Sequence, residues 1–188
     1  VIITLANGSV TRIPAVKNHQ LPARGGAWLA YLKIAPPGSS GADLVLHDLQ
    51  SSAERVFHDV SEYSFARDGK TLVYAVASNN EADNGIFAVT PGDSAAPAAL
   101  LTGPDRYSKF IWDRQQTQGS FLIASKNAAG QPGHPALGYW RRGASAVEKI
   151  LTSESPGIPS GSALSPDASP AFSYDGSKLF VFTAPIPA

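Results

Sequence analysis

Three groups of residues have types and spacings that could do chemistry. Gly69-Lys70-Thr71 matches the end of a phosphate-binding loop, in which backbone amides and a lysine cradle nucleotide phosphates. That motif needs a glycine at position 64, where the chain has Ser64, and it must open a helix whose N-terminal amides face the phosphates. The run that follows, Thr71 to Val76 ("TLVYAV"), is β-branched and aromatic, so a strand is expected instead. Asp68-Gly69 then reads as its turn, with a positive φ at the glycine and Lys70 left in solvent.

The second group is the polar loop "SNNEADNG" over 78–85. Asn79, Glu81 and Asp83 alternate as the first ligands of a calcium loop do, but the sixth position is Asn84 rather than glycine and no acid stands at the twelfth. A solvated loop is the better reading. The histidines form the third group: His19, His47, His58 and His134 share no zinc-binding spacing. His58 and Asp59 are sequence neighbours, and on a strand neighbours point to opposite faces, so they do not form a catalytic pair. No cofactor and no metal is expected. A lone sequon, Asn7-Gly8-Ser9, falls in a turn.

The elements that must hold these residues follow from composition and repetition. The chain has 188 residues with 15 basic and 15 acidic side chains, so no broad electrostatic footprint for nucleic acid or an anionic membrane is expected. Only 16% of residues are charged, while 17 glycines and 15 prolines are spread along the length, which suits many short strands better than long helices. There is no cysteine, which removes disulfides and thiolate metal sites, and no methionine, so Val1 is read as a processed or cut end of something longer. Apolar runs fall far short of the ~20 residues of a membrane helix, so no membrane span is expected.

One pattern recurs. "YSFARDGKTLVYAVAS" and "SPAFSYDGSKLFVFTA" each place an aromatic segment, a turn (Asp68-Gly69, Asp175-Gly176) and a strand-forming run in the same order. "YSKFIWDRQQTQGSFLIASK" and "NHQLPARGGAWLAYLK" are looser copies. Taking Arg24, Asp68, Asp113 and Asp175 as markers, the spacings are 44, 45 and 62 residues. The first two match the ~40–50 residue period of a propeller blade, and the third matches it with an insertion. Two further short strands lie between successive hairpins: 44–49 and 54–57, 86–90 and 98–101, 137–141 and 147–151. The expected fold is all-β, a partial β-propeller of four-stranded antiparallel blades. It divides into a partial blade at 1–16, blades at 17–60, 61–103 and 104–152, an insertion at 153–168 and a partial blade at 169–188. Trp28, Trp112 and Trp140, with Phe65, Phe121, Phe172 and Phe180, are expected to pack between blades.

The hairpins "SFARDGKTLVYAV" and "AFSYDGSKLFVF" resemble the F-S-x-D-G-x-x-L hairpin of TolB-like propeller repeats. With "VKNHQLPARGGAWLAYLK" and "ADLVLHDLQSSAERVFHDV", the chain is similar to the N-terminal propeller of bacterial prolyl oligopeptidase-type serine peptidases, most clearly over 17–103 and 160–188. The resemblance implies a C-terminal α/β-hydrolase domain as partner, a peptide as substrate, and a periplasmic or secreted setting. The propeller's implied job is to cap the active site and gate peptide access. No G-x-S-x-G nucleophile elbow occurs in the chain, so no catalytic residue is carried over and the chain alone is not expected to be an enzyme. The other reading is a TolB-like propeller that binds a protein or glycan with no peptidase attached.

In such a fold the long polar loops (34–42, 78–85, 126–135, 152–167) collect on one face and the tight turns on the other. The loop face is expected to carry contacts, with Asn79, Glu81, Asp83 and His134 as candidates.

Overall fold

A computed structural model describes residues 1–127, 130–131 and 133–186. A hairpin of β1 (Ile2–Thr4) and β2 (Ser9–Thr11) comes first. Seven strands then pair antiparallel in chain order: β3 (Val16–Gln20), β4 (Trp28–Lys33), β5 (Ala42–Asp48), β6 (Glu54–Phe65), β7 (Leu72–Val76), β8 (Gly85–Val89) and β9 (Ala98–Thr102). A four-stranded sheet follows, made of β10 (Arg106–Trp112), β11 (Gln118–Ala124), β12 (Ala136–Arg141) and β13 (Glu148–Leu151). Last come two short pairs, β14 (Ser162–Leu164) with β17 (Thr183–Pro185) and β15 (Ala171–Phe172) with β16 (Leu179–Phe180). The chain is all-β and forms part of a propeller.

Strand alternation explains the sequence pattern. In β7, Leu72 and Tyr74 enter one core with Leu44, Leu46 and Phe57, while Val73 and Ala75 enter a second with Ile86, Phe121 and Trp140. A strand buried on both faces reads as a continuous apolar run rather than an alternating one. Flanking strands divide the same way: Ala30 and Leu32 of β4 face the first core, while Leu29 and Tyr31 face a third with Val45. Phe121 and Ile123 of β11 face the second core, and Leu122 faces a fourth with Leu137 and Leu164. Each such Leu or Phe removed from water contributes roughly 1.5–3 kcal/mol. Burial also pushes the Tyr63, Tyr74 and Tyr107 phenols up to about 12.

Trp112 and Trp140 lie 5.9 Å apart between β10 and β12, and Trp28 packs against the first core, as aromatic packing requires. Phe180 differs: it is 55% exposed.

Two stretches are connected in ways the sequence pattern does not show. Residues 54–57 and 63–65, expected in successive blades, lie in one unbroken twelve-residue strand, β6, whose residues 54–60 pair with β5 and whose residues 60–65 pair with β7. No turn residue pair separates them. The change of direction is absorbed at Asp59, which takes a φ of 56°, with the register shifting between Phe57 and Val60 and again between Val60 and Glu62. The backbone of Asp59 comes so close to Gly41 that a Cβ there would collide with it. In the stretch expected as an insertion, residues 162–164 form β14, whose partner is the strand over 183–185. Residues 187 and 188 of the final partial blade lie outside the described residues.

Candidate functional site

Among the described residues the loop after β7 meets the loop after β11, and Arg106 Nη2 donates to Ser40 Oγ in the loop after β4 at 3.3 Å. The loop after β7 holds a single 3-10 turn, Glu81–Asp83, and Asn84 fixes its end. Asn84 is 2% exposed; its Oδ1 accepts the Ser78 N–H at 2.7 Å and its Nδ2 donates to the Asp105 carbonyl at 3.2 Å. The residue that fails as a calcium-loop glycine is thus the one that ties the loop down. Glu81 pairs with Lys126 of the loop after β11, and Asp83 accepts a hydrogen bond from Asn80 Nδ2 at 2.8 Å. Asn79 and His134 are exposed, and no contact joins them to each other or to Glu81 among the described residues. Residues 128, 129 and 132 of the 126–135 loop lie outside the described residues. Among the described residues, no three metal-ligating side chains converge. Of the four candidates, only Glu81 is joined to a neighbouring loop among the described residues.

The histidine reading changes in one detail. His58 meets Asp43, not Asp59: its Nδ1 lies 2.8 Å from Asp43 Oδ1, with Lys33 Nζ 3.6 Å from the same carboxylate. Cross-strand register brings 43 and 58 together, which sequence adjacency does not show. No hydroxyl among the described residues engages the other ring nitrogen. His47 is buried against Glu54 at 3.0 Å, and Tyr31 donates to the same Glu54 oxygen at 2.9 Å. Burial first, and then that bond, pushes the Tyr31 phenol up to about 12.

The opposite face holds the better-built site. Three inner hairpins close with the same turn. Gly69, Gln116 and Gly176 donate their amides to Ala66, Asp113 and Ser173, with φ values of 69°, 58° and 73°. Arg67, Arg114 and Tyr174 therefore occupy the same second position of the turn, whereas Arg24 lies in the longer connection between β3 and β4. The turns are stitched to one another in order. The Arg24 N–H donates to the Arg67 carbonyl at 2.6 Å, the Arg67 N–H donates to Gln116 Oε1, and Gln118 Nε2 donates to the Gly176 carbonyl at 2.7 Å.

These turns border an open pocket of about 470 Å³ lined by Arg24, Arg67, Asp68, Arg114, Arg142, Gln115 and Gln116. Arg142 is committed: its Nη2 donates to Asp68 at 3.0 Å and its Nε to Thr71 at 3.0 Å. The Arg142 hydrogen bond holds the Asp68 carboxyl below the usual carboxylate range. Arg114 stacks over the Tyr174 ring at 3.9 Å. The guanidinium groups of Arg24 and Arg67 have no acceptor among the described residues. Sequence reasoning passed over these arginines because it treated the turns as connectors. The signal was an arginine in each of three successive inner-hairpin connections.

No protein-family model matches the chain, and no curated relative does. Solved structures do. The acylaminoacyl peptidase of Pyrococcus horikoshii superposes with a TM-score of 0.55 at 12% identity, over 89% of this chain and 27% of that one. The β-propeller domain of the Trilobed protease from Pyrococcus furiosus, described with an open velcro topology, gives 0.52 at 14% over 91% of this chain and 49% of that one. A prolyl endopeptidase gives 0.51 at 15% over 90% of this chain and 26% of that one. The chain thus spans from about a quarter to half of the proteins it superposes on. At these identities the likeness is one of fold: the chain has the fold of the propeller domains of prolyl oligopeptidase-type peptidases.

Proposed function

We propose that the chain is a non-catalytic propeller segment of a prolyl oligopeptidase-type serine peptidase. It caps a separate α/β-hydrolase domain and gates the access of peptides to it. The observation that carries this reading is the superposition of about nine-tenths of the chain on peptidase propellers, together with the inner-hairpin pattern at Asp68-Gly69 and Asp175-Gly176. The chemistry fits. The chain has no nucleophile elbow, and its one exposed His–Asp pair has no hydroxyl partner among the described residues. What it offers is a stack of sheets with contact groups on both faces.

Incubating the chain with chromogenic dipeptide substrates, beside the product of the complete gene, tests the reading. Turnover is expected from the complete product, blocked by a serine-directed inhibitor, and none from residues 1–188. Inhibitor-sensitive turnover by the chain alone, or none by the complete product, overturns it. The second result would leave a propeller that acts as a binding module.

A further inference from the structure

The turn-face pocket has the composition of a binding site. A chain whose charges cancel overall places four arginines around one cavity, opposed by the single carboxylate of Asp68. Asp68 is already held by Arg142, which leaves the positive charge of Arg24 and Arg67 uncompensated. The backbone beneath them is fixed in advance, since each turn is hydrogen-bonded to the next through Arg24, Arg67, Gln116 and Gln118. A ligand would then meet guanidinium groups without first having to order the loops that carry them.

We propose that this pocket binds an acidic peptide segment, its carboxylates pairing with Arg24 and Arg67. Planar guanidinium groups match carboxylates in two-point geometry. The lining also favours a peptide over a bare anion. The side-chain amide of Gln115, which has no partner among the described residues, both donates and accepts, as a peptide bond requires and a phosphate does not. The volume, about 470 Å³, lies within the range of small-ligand pockets. The proposal does not depend on the peptidase reading, because binding is measured without turnover.

The test is fluorescence anisotropy of an end-labelled tri-glutamate peptide titrated with the full chain, with tri-glutamine as the neutral probe and inorganic phosphate as competitor. Tri-glutamate should bind and tri-glutamine should not, and added salt should weaken the complex. The double variant Arg24→Gln/Arg67→Gln should weaken binding by about tenfold or more. The charge-matched control Arg12→Gln/Lys17→Gln, at exposed positions outside the pocket, should leave it unchanged. Arg24 and Arg67 are exposed and their turn bonds run through the backbone, so circular dichroism should show both variants folded. The proposal is overturned if Arg24→Gln/Arg67→Gln binds like the parent or if the control loses as much. It is also overturned if phosphate displaces the probe as effectively as unlabelled tri-glutamate.

Discussion

At the scale of single residues, Gln116 shows how a turn position is chosen by its neighbour as well as by its own backbone. It adopts the left-handed φ that Gly69 and Gly176 adopt in the equivalent turns, at a cost of roughly 1–2 kcal/mol for a residue with a side chain. In return its Oε1 accepts the Arg67 amide of the preceding turn. Gln116→Gly should therefore be near neutral, since relief of strain offsets the lost bond. Gln116→Ala, which keeps the strain and loses the bond, should destabilise by about 1 kcal/mol in urea unfolding. Asp175 provides a pH readout. Its carboxylate accepts bonds from the Ser173 hydroxyl, then from the Ser177 amide and hydroxyl, which together hold its pKa at about 2 against an ordinary 3.8. A depressed folded pKa means that the contribution is complete above the ordinary value and is lost as pH falls toward 2. Asp175→Asn should flatten the decline in stability between about pH 4 and pH 2 in urea midpoints compared with the parent chain. An unchanged slope would show that the serine bonds do not act on folding.

At the scale of elements, the strands with the most regular pattern were the most legible. "TLVYAV" and "SFLIA" announced β7 and β11 because a blade strand is apolar on both faces. Less legible was anything decided across strands. The run through Asp59 contains no Gly or Pro punctuation, so its single-strand character depends on a left-handed φ that no residue type there signals. The pairing of 162–164 with 183–185 joins short, Ser- and Pro-rich segments whose strand character comes from partnership and not from propensity. The His58–Asp43 contact and the row of turn arginines likewise depend on register and repeat position. Blade contacts also fix where side chains are forbidden. A Cβ on Gly138 of β12 would lie 2.7 Å from Cζ of Phe121, which is fully buried on β11. Gly138→Ala should cost about 1–3 kcal/mol, read as a lower urea midpoint with an unchanged m-value. A variant as stable as the parent would mean that Phe121 can shift and that the second core is looser than described.

At the scale of the whole molecule, four apolar cores alternate with sheets, and the inner hairpin turns are stitched in sequence along one face. Such a stack presents a loop face where Glu81 pairs with Lys126 and a turn face with an arginine-lined pocket. A gate needs a wall that does not yield, because exclusion by size fails otherwise. The central claim is gating, and the most direct measurement is kcat/KM of the complete gene product over a series of unstructured peptides that share one cleavage sequence and differ only in length. The account predicts inhibitor-sensitive turnover that falls steeply once the peptide exceeds a limiting length. Turnover that is independent of length would contradict it.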